Sequence, residues 1–206
     1  MSQTSRFEGR DIARIAVFAA IIIALGLMGP IPGPIGVPIT AQTLGVMLAG
    51  AVLGWRGAAA SVLVVLVLAA IGLPVLSGGK GGLGVFVGPT AGYLVGWVAG
   101  AAVVGLIAHA GGRRLEWWRV ALANVVGGIL VIYAFGIPVQ AIVLALPLGE
   151  TVVASAVFLP GDLVKVVLAT VLTVAVHRAY PVGFGAARPR VRTQEPATEE
   201  PATVDE

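Results

Sequence analysis

The sequence predicts an all-α integral membrane protein, a bundle of six transmembrane helices with both termini on the cytoplasmic side. Three observations predict it: the composition, the spacing of the apolar stretches and the placement of the arginines. Apolar residues fill 58% of the 206 positions, 29 glycines add roughly 14% more, and charged residues make up only 11%. Soluble domains hold about 45–50% apolar residues with glycine included. A mean hydropathy of +0.99 agrees. There are too few polar groups here to cover a water-facing surface, so most of it must face lipid.

A membrane helix needs about 20 mainly apolar residues to cross a hydrocarbon core ~30 Å thick. Six apolar stretches answer to that length. The first spans 12–28 and stops at Gly29-Pro30, before an uncharged Pro/Gly loop over 30–38. The second covers 39–54 and ends at Trp55-Arg56, and the third covers 57–73 and ends at Pro74. A glycine-rich loop over 77–88 leads to the fourth, 89–110, and a short basic turn with Arg113, Arg114 and Trp117-Trp118 leads to the fifth, 120–135. The stretch 136–159 is apolar but interrupted by Pro138, Pro147, Gly149 and Glu150. It is expected to cap the bundle rather than cross it. The sixth span opens at Pro160-Gly161-Asp162 and closes at His177-Arg178. The domain plan is therefore a cytoplasmic N-terminus over 1–11, a membrane domain over 12–178, and a cytoplasmic tail over 179–206. That tail, rich in Arg, Pro and Glu, cannot bury a core and is expected to be disordered.

Orientation follows from charge. With the N-terminus inside, Arg6, Arg10, Arg14, Arg56, Arg113, Arg114, Arg119, Arg178, Arg188, Arg190 and Arg192 are all cytoplasmic, 11 of the 13 basic residues. The positive-inside bias selects that arrangement. It also accounts for the pI of 9.8 without nucleic acid as a partner, because the basic residues flank membrane segments instead of forming a patch. No cleavage site follows the first apolar run, which reads as a helix and not as a removed signal peptide.

The chain has no cysteine, which excludes disulfides, thiol chemistry and thiolate metal sites. No metal site and no cofactor are expected. Its histidines are His109 and His177, both at inner helix ends, and neither H-E-x-x-H nor G-x-S-x-G occurs. Catalysis therefore has little support. The stretch Gly79-Lys80-Gly81-Gly82-Leu83-Gly84 matches a dinucleotide fingerprint in letters only, since no strand precedes it and no acidic residue follows at the required distance. Without a P-loop, the chain cannot hydrolyse ATP alone. The glycine-rich stretch, with Gly79, Lys80 and Gly81, reads either as a lid that lets backbone approach a ligand or as a plain connector.

Polar groups within the apolar portion gather at the outer end. Asp162 and Lys165 are three apart and share a helix face. A charge near mid-bilayer costs roughly 2.5–3.5 kcal/mol on insertion scales, so such residues usually face a protein interior or a watery cavity. From Asp162 to Arg178 is about 24 Å along a helix, which places the pair near the outer interface. It serves either as a capping Asp with a local ion pair or as a ligand site offering acceptor and donor together. Thr40, Gln42 and Thr43 open the second span, where Thr40 can cap the helix and Gln42 can bond nearby backbone. Thr90 and Tyr93 open the fourth, where Tyr93 faces the same cavity or anchors at the interface. Gly92, Gly96 and Gly100 form a small-residue face on the fourth span, and Ala16, Ala20 and Ala24 form one on the first. Such faces pack helices closely, either within the bundle or, for the alanines, against a partner subunit.

Three blocks, Val37-Pro38-Ile39-Thr40-Ala41-Gln42-Thr43-Leu44-Gly45-Val46, Gly78-Gly79 through Gly84 to Pro89-Thr90-Ala91-Gly92-Tyr93, and Leu159-Pro160-Gly161-Asp162-Leu163-Val164-Lys165, together resemble the BioY family. These are the biotin-specific S components of energy-coupling factor (ECF) transporters. The resemblance covers residues 12–178. It implies an S-component fold in a bacterial plasma membrane, and biotin captured as a transported ligand in an outward cavity. That cavity would be closed by the loops after the first, third and fifth helices, with Asp162, Lys165 and Tyr93 in contact with the ligand. It also implies that the alanine face docks an ECF transmembrane coupling subunit served by two cytoplasmic ATPases. A solitary secondary transporter of a small vitamin-like solute and an intramembrane enzyme are the alternatives.

Overall fold

The structure is a computed structural model, and it describes residues 9–33, 37–111 and 115–179. Those bounds leave Arg6, Arg113, Arg114, the arginines beyond Ala179 and the tail expected to be disordered outside the described residues. Every long element is helical, and the described residues hold only two isolated β-bridges, Ile31 with Ile39 and Leu76 with Lys80. Among the described residues, four helices are long and apolar enough to cross a membrane.

Helix α1 covers Gly9–Leu27. Helix α2 covers Gln42–Ala70 but contains a non-helical residue, Gly54, at φ 74° and ψ 175°. Only glycine enters that backbone region without strain, and here it folds α2 back on itself. The return shows in the contacts: Gln42, at the start of α2, bonds the carbonyl of Val75, just beyond its end. The two halves are the second and third stretches read from the sequence. Helix α3 covers Ala91–His109 and ends beside the Gly54 break, with His109 Nε2 3.0 Å from the Ala51 carbonyl oxygen. Helices α4, Trp117–Val125, and α5, Ile132–Leu144, are joined without interruption by a π-helical segment, Val126–Val131. A left-handed residue, Ala145 at φ 52°, ends α5. The short α6, Leu148–Ser155, and a 3-10 turn, Ala156–Phe158, lead into α7, Leu159–Ala179.

One boundary differs from the sequence expectation. The sequence places the end of the fifth span at residue 135, before Gly136 and Pro138, yet both lie inside α5, which continues to Leu144. Proline is tolerated in membrane helices because neighbouring groups satisfy the backbone it frees. Gly136 is used for packing, since a Cβ there would collide with the Tyr93 ring. The capping segment thus shrinks to α6 and its flanks.

Glycine makes the bundle close. Side chains added at Gly92, Gly96 and Gly100 would meet the backbone of Phe135, Ile132 and Gly127, so this ladder packs α3 on α5 and the π segment. The alanine ladder does the opposite: Ala16, Ala20 and Ala24 are all exposed on α1. Burial on α7 is inverted relative to a soluble helix. Asp162, Thr170 and Thr173 are buried, while Val164, Val167, Leu168 and Val171 face outward. That polarity suits a lipid surround.

Candidate functional site

One end of the bundle carries a pocket whose empty space, open mouth included, is about 800 Å³. Thr40, Gln42, Thr43, Lys80, Thr90, Tyr93, Asp162 and Lys165 all line it. These eight come from four separate parts of the chain. Gly79 and Gly81 do not line it, and their roles are in the turn that carries Lys80. Gly79 has φ 68°, and a side chain at Gly81 would strike the carbonyl of Leu73.

Helical periodicity explains how each wall is built. On α3, Thr90, Tyr93, Leu94 and Trp97 follow an i, i+3, i+4, i+7 pattern and present one face. On the chain entering α7, Phe158, Asp162 and Lys165 do the same. The first half of α2 supplies Gln42 and Thr43, and the opposite wall comes from Gly128, Ile132 and Tyr133.

The polar centre is a four-residue network. Lys165 Nζ donates to Asp162 Oδ1 at 2.8 Å and to Thr43 Oγ1 at 2.9 Å. Tyr133 donates its hydroxyl to Asp162 Oδ2 at 2.6 Å. The Asp162 and Lys165 side chains are 8% and 13% exposed, so the pair is largely withdrawn from solvent. Removing one partner of a buried pair strands a charge, at a cost of about 3–5 kcal/mol. Tyr93 and Tyr133 meet edge to face, with ring centroids 6.3 Å apart, and Trp97 and Phe158 complete an aromatic wall.

Two of the expected ligand residues have prior commitments. Gln42 is 1% exposed. Its amide nitrogen donates to the carbonyls of Ile22 at 3.3 Å and Val75 at 3.1 Å, and its oxygen accepts from the Ser77 N–H at 2.9 Å. It therefore clamps α1, α2 and the glycine-rich loop together beside the pocket, which is the backbone-bonding role the sequence left open. Gly26 leaves room for that amide, since a Cβ there would lie 2.6 Å from Gln42 Nε2. Tyr93 turns its ring to the pocket and donates its hydroxyl to Gln140 Oε1 at 2.8 Å, with Ser155 Oγ at 3.4 Å. Ala41, not Thr40, occupies the cap position of α2, and Thr90 makes no side-chain cap bond at the start of α3.

Sequence reasoning missed Tyr133, Trp97, Ser77 and Phe158. A signal existed for two of them. Trp97 follows Tyr93 by four residues on one helix, and Tyr133 lies 16 residues into the α4–α5 stack. A tyrosine that deep is no interfacial anchor, so its hydroxyl needs a buried partner.

The fold and site define a multi-pass helical membrane protein with a polar, aromatic-walled pocket at one end of its bundle. The chain matches the BioY family over residues 1–182 and belongs to it. The biotin transporter BioY of Rhizobium etli is 52% identical over 179 residues, covering 84% of this chain and 96% of that protein. Its namesake in Rhodobacter capsulatus is 50% identical over 188 residues, covering 82% and 95%. Among solved structures, the S-component for biotin from an ECF-type ABC transporter superposes with a TM-score of 0.78 at 31% identity, covering 86% of this chain and 95% of that one. The family is one of transporters, not enzymes, and the protein is a multi-pass component of the plasma membrane.

Proposed function

We propose that this protein captures biotin at the outer membrane face and delivers it for uptake together with ECF coupling subunits. The Tyr133–Asp162–Lys165–Thr43 network carries the proposal. Biotin combines a neutral urea-type head, an apolar bicycle and chain, and a carboxylate. The network offers charged acceptors and donors to a polar group, and the Trp97, Tyr93 and Phe158 wall suits the apolar body. A buried pair that already neutralises itself can accept such a head without a net buried charge.

The chain crosses the membrane six times with both ends inside. Supporting this, Gly54 folds α2 into two passes, and α1 and α7 both point their charged ends, Arg10, Arg14 and Arg178, away from the pocket. Arg56 follows the Gly54 break at that same far end, whereas Lys80 and Lys165 line the pocket. The exposed Ala16, Ala20 and Ala24 ladder docks the transmembrane coupling subunit, which works with two cytoplasmic ATPases. Small residues there permit close helix approach.

The test is equilibrium binding of biotin to detergent-purified protein. Asp162→Asn and Lys165→Met should each weaken binding at least about 10-fold, the equivalent of ~1.4 kcal/mol. Unchanged affinity in both variants rejects the site.

A further inference from the structure

We infer that Lys80 recognises the ligand's carboxylate, so that the urea-type head lies deep between Asp162, Lys165 and Tyr133 and the acid end lies at the glycine-rich turn. The inference rests on the biotin assignment above and adds to it the direction in which the molecule is held.

Charge decides the direction. Two cations line the pocket, Lys165 and Lys80. Lys165 is matched by Asp162 at 2.8 Å, and Tyr133 and Thr43 add no charge, so the deep network is neutral as a unit. An acid pushed against Lys165 would also meet the Asp162 carboxylate and its repulsion. A urea head meets no such conflict. Its carbonyl accepts from the remaining ammonium N–H of Lys165, and its N–H groups donate to carboxylate lone pairs, since an ionised Asp has about four acceptor positions. Lys80, the exposed cation of the lining, forms no ion pair among the described residues. Its charge is the one left to balance an anion.

The turn holds Lys80 in place. Leu76 and Lys80 exchange both backbone hydrogen bonds, at 3.1 and 3.2 Å, around Gly78 and Gly79 at φ 77° and 68°. Gln42 anchors the near side through the Ser77 N–H, and the Gly82 N–H anchors the far side on the Ala69 carbonyl at 2.7 Å. Ser77 also lines the pocket, and its buried hydroxyl has no partner among the described residues. The fixed turn therefore brings an exposed cation and a buried hydroxyl to the lining of one pocket. Because Lys80 is exposed, solvent screens its contribution, and the expected preference for an anion is modest, about fivefold.

The test compares biotin with biotinamide, in which a neutral amide replaces the acid, by equilibrium binding to the detergent-purified full chain. The wild type should favour biotin about fivefold, and that ratio should fall toward one as ionic strength rises, as screening requires. Lys80→Gln should bring the ratio to about one, Lys80→Arg should keep it, and Tyr133→Phe, which removes a hydrogen bond but no charge from the deep network, should weaken both ligands together without changing it. The inference is overturned by a ratio that survives Lys80→Gln, by one indifferent to salt in the wild type, or by one abolished in Lys165→Met while Lys80→Gln retains it. That last result would place the acid at the deep end. A wild type that binds neither ligand overturns the biotin assignment itself and this orientation with it. Binding of both ligands equally well overturns the orientation alone.

Discussion

Replacing Gln42 with alanine tests the clamp that ties the mouth of the pocket to the bundle. Three hydrogen bonds disappear, at 3.3, 3.1 and 2.9 Å to three different backbone groups. At a net value of about 1 kcal/mol each, their loss costs about 3 kcal/mol. The residue is 1% exposed, so truncation also leaves a cavity worth about 1 kcal/mol. A total near 4 kcal/mol corresponds to a Tm lower by about 8–16 °C for a chain of this length. Biotin should also dissociate about fivefold faster, because the Ser77 N–H no longer anchors the turn above the ligand. Thermal unfolding in detergent and a displacement time course measure the two effects. Gln42→Met keeps the volume and should recover only the cavity share. A Gln42→Ala protein that melts within 2 °C of the wild type and releases biotin at the wild-type rate refutes the clamp.

Tyr133→Phe removes the 2.6 Å bond to Asp162 and leaves one carboxylate oxygen unpaired by protein. Charge-assisted bonds are worth about 1.5–3 kcal/mol, so biotin affinity, read by equilibrium binding, should fall by about 10-fold or more. Ala20→Leu enlarges an exposed position on α1. It should spare biotin binding by the purified protein and lower biotin uptake by cells carrying the coupling subunits, as radiolabel accumulation would report.

The all-helical, membrane-embedded character of the bundle was legible because membrane helices obey few rules: length, hydropathy and the placement of charge. The Asp162–Lys165 pair was legible for the same reason, since two charges in an apolar helix need a shared purpose. Tyr133 was not, because its partner lies 29 residues away and only the tertiary fold brings them together. Gln42 illustrates the opposite difficulty. It stands in the right block of sequence and lines the pocket, yet its hydrogen bonds to Ile22, Val75 and Ser77 all go to backbone. A motif shows that a position matters without showing whether it holds the solute or the wall. The extension of α5 past Pro138 escaped detection because proline is a reliable stop signal only where water must satisfy the freed carbonyl.

The π segment at Val126–Val131 makes the pocket sensitive to winding in an unusual way. Its wider turn takes up an additional residue relative to a regular helix, so the helices on either side stay in phase. Winding the same residues as an ordinary α-helix, with none deleted, would swing the following side chains by about 100°. Tyr133 would leave Asp162 and Gln140 would leave Tyr93, although no residue of either pair had been altered. The helix would be as apolar and nearly as long as before, and the pocket would have lost one wall through a change of phase alone.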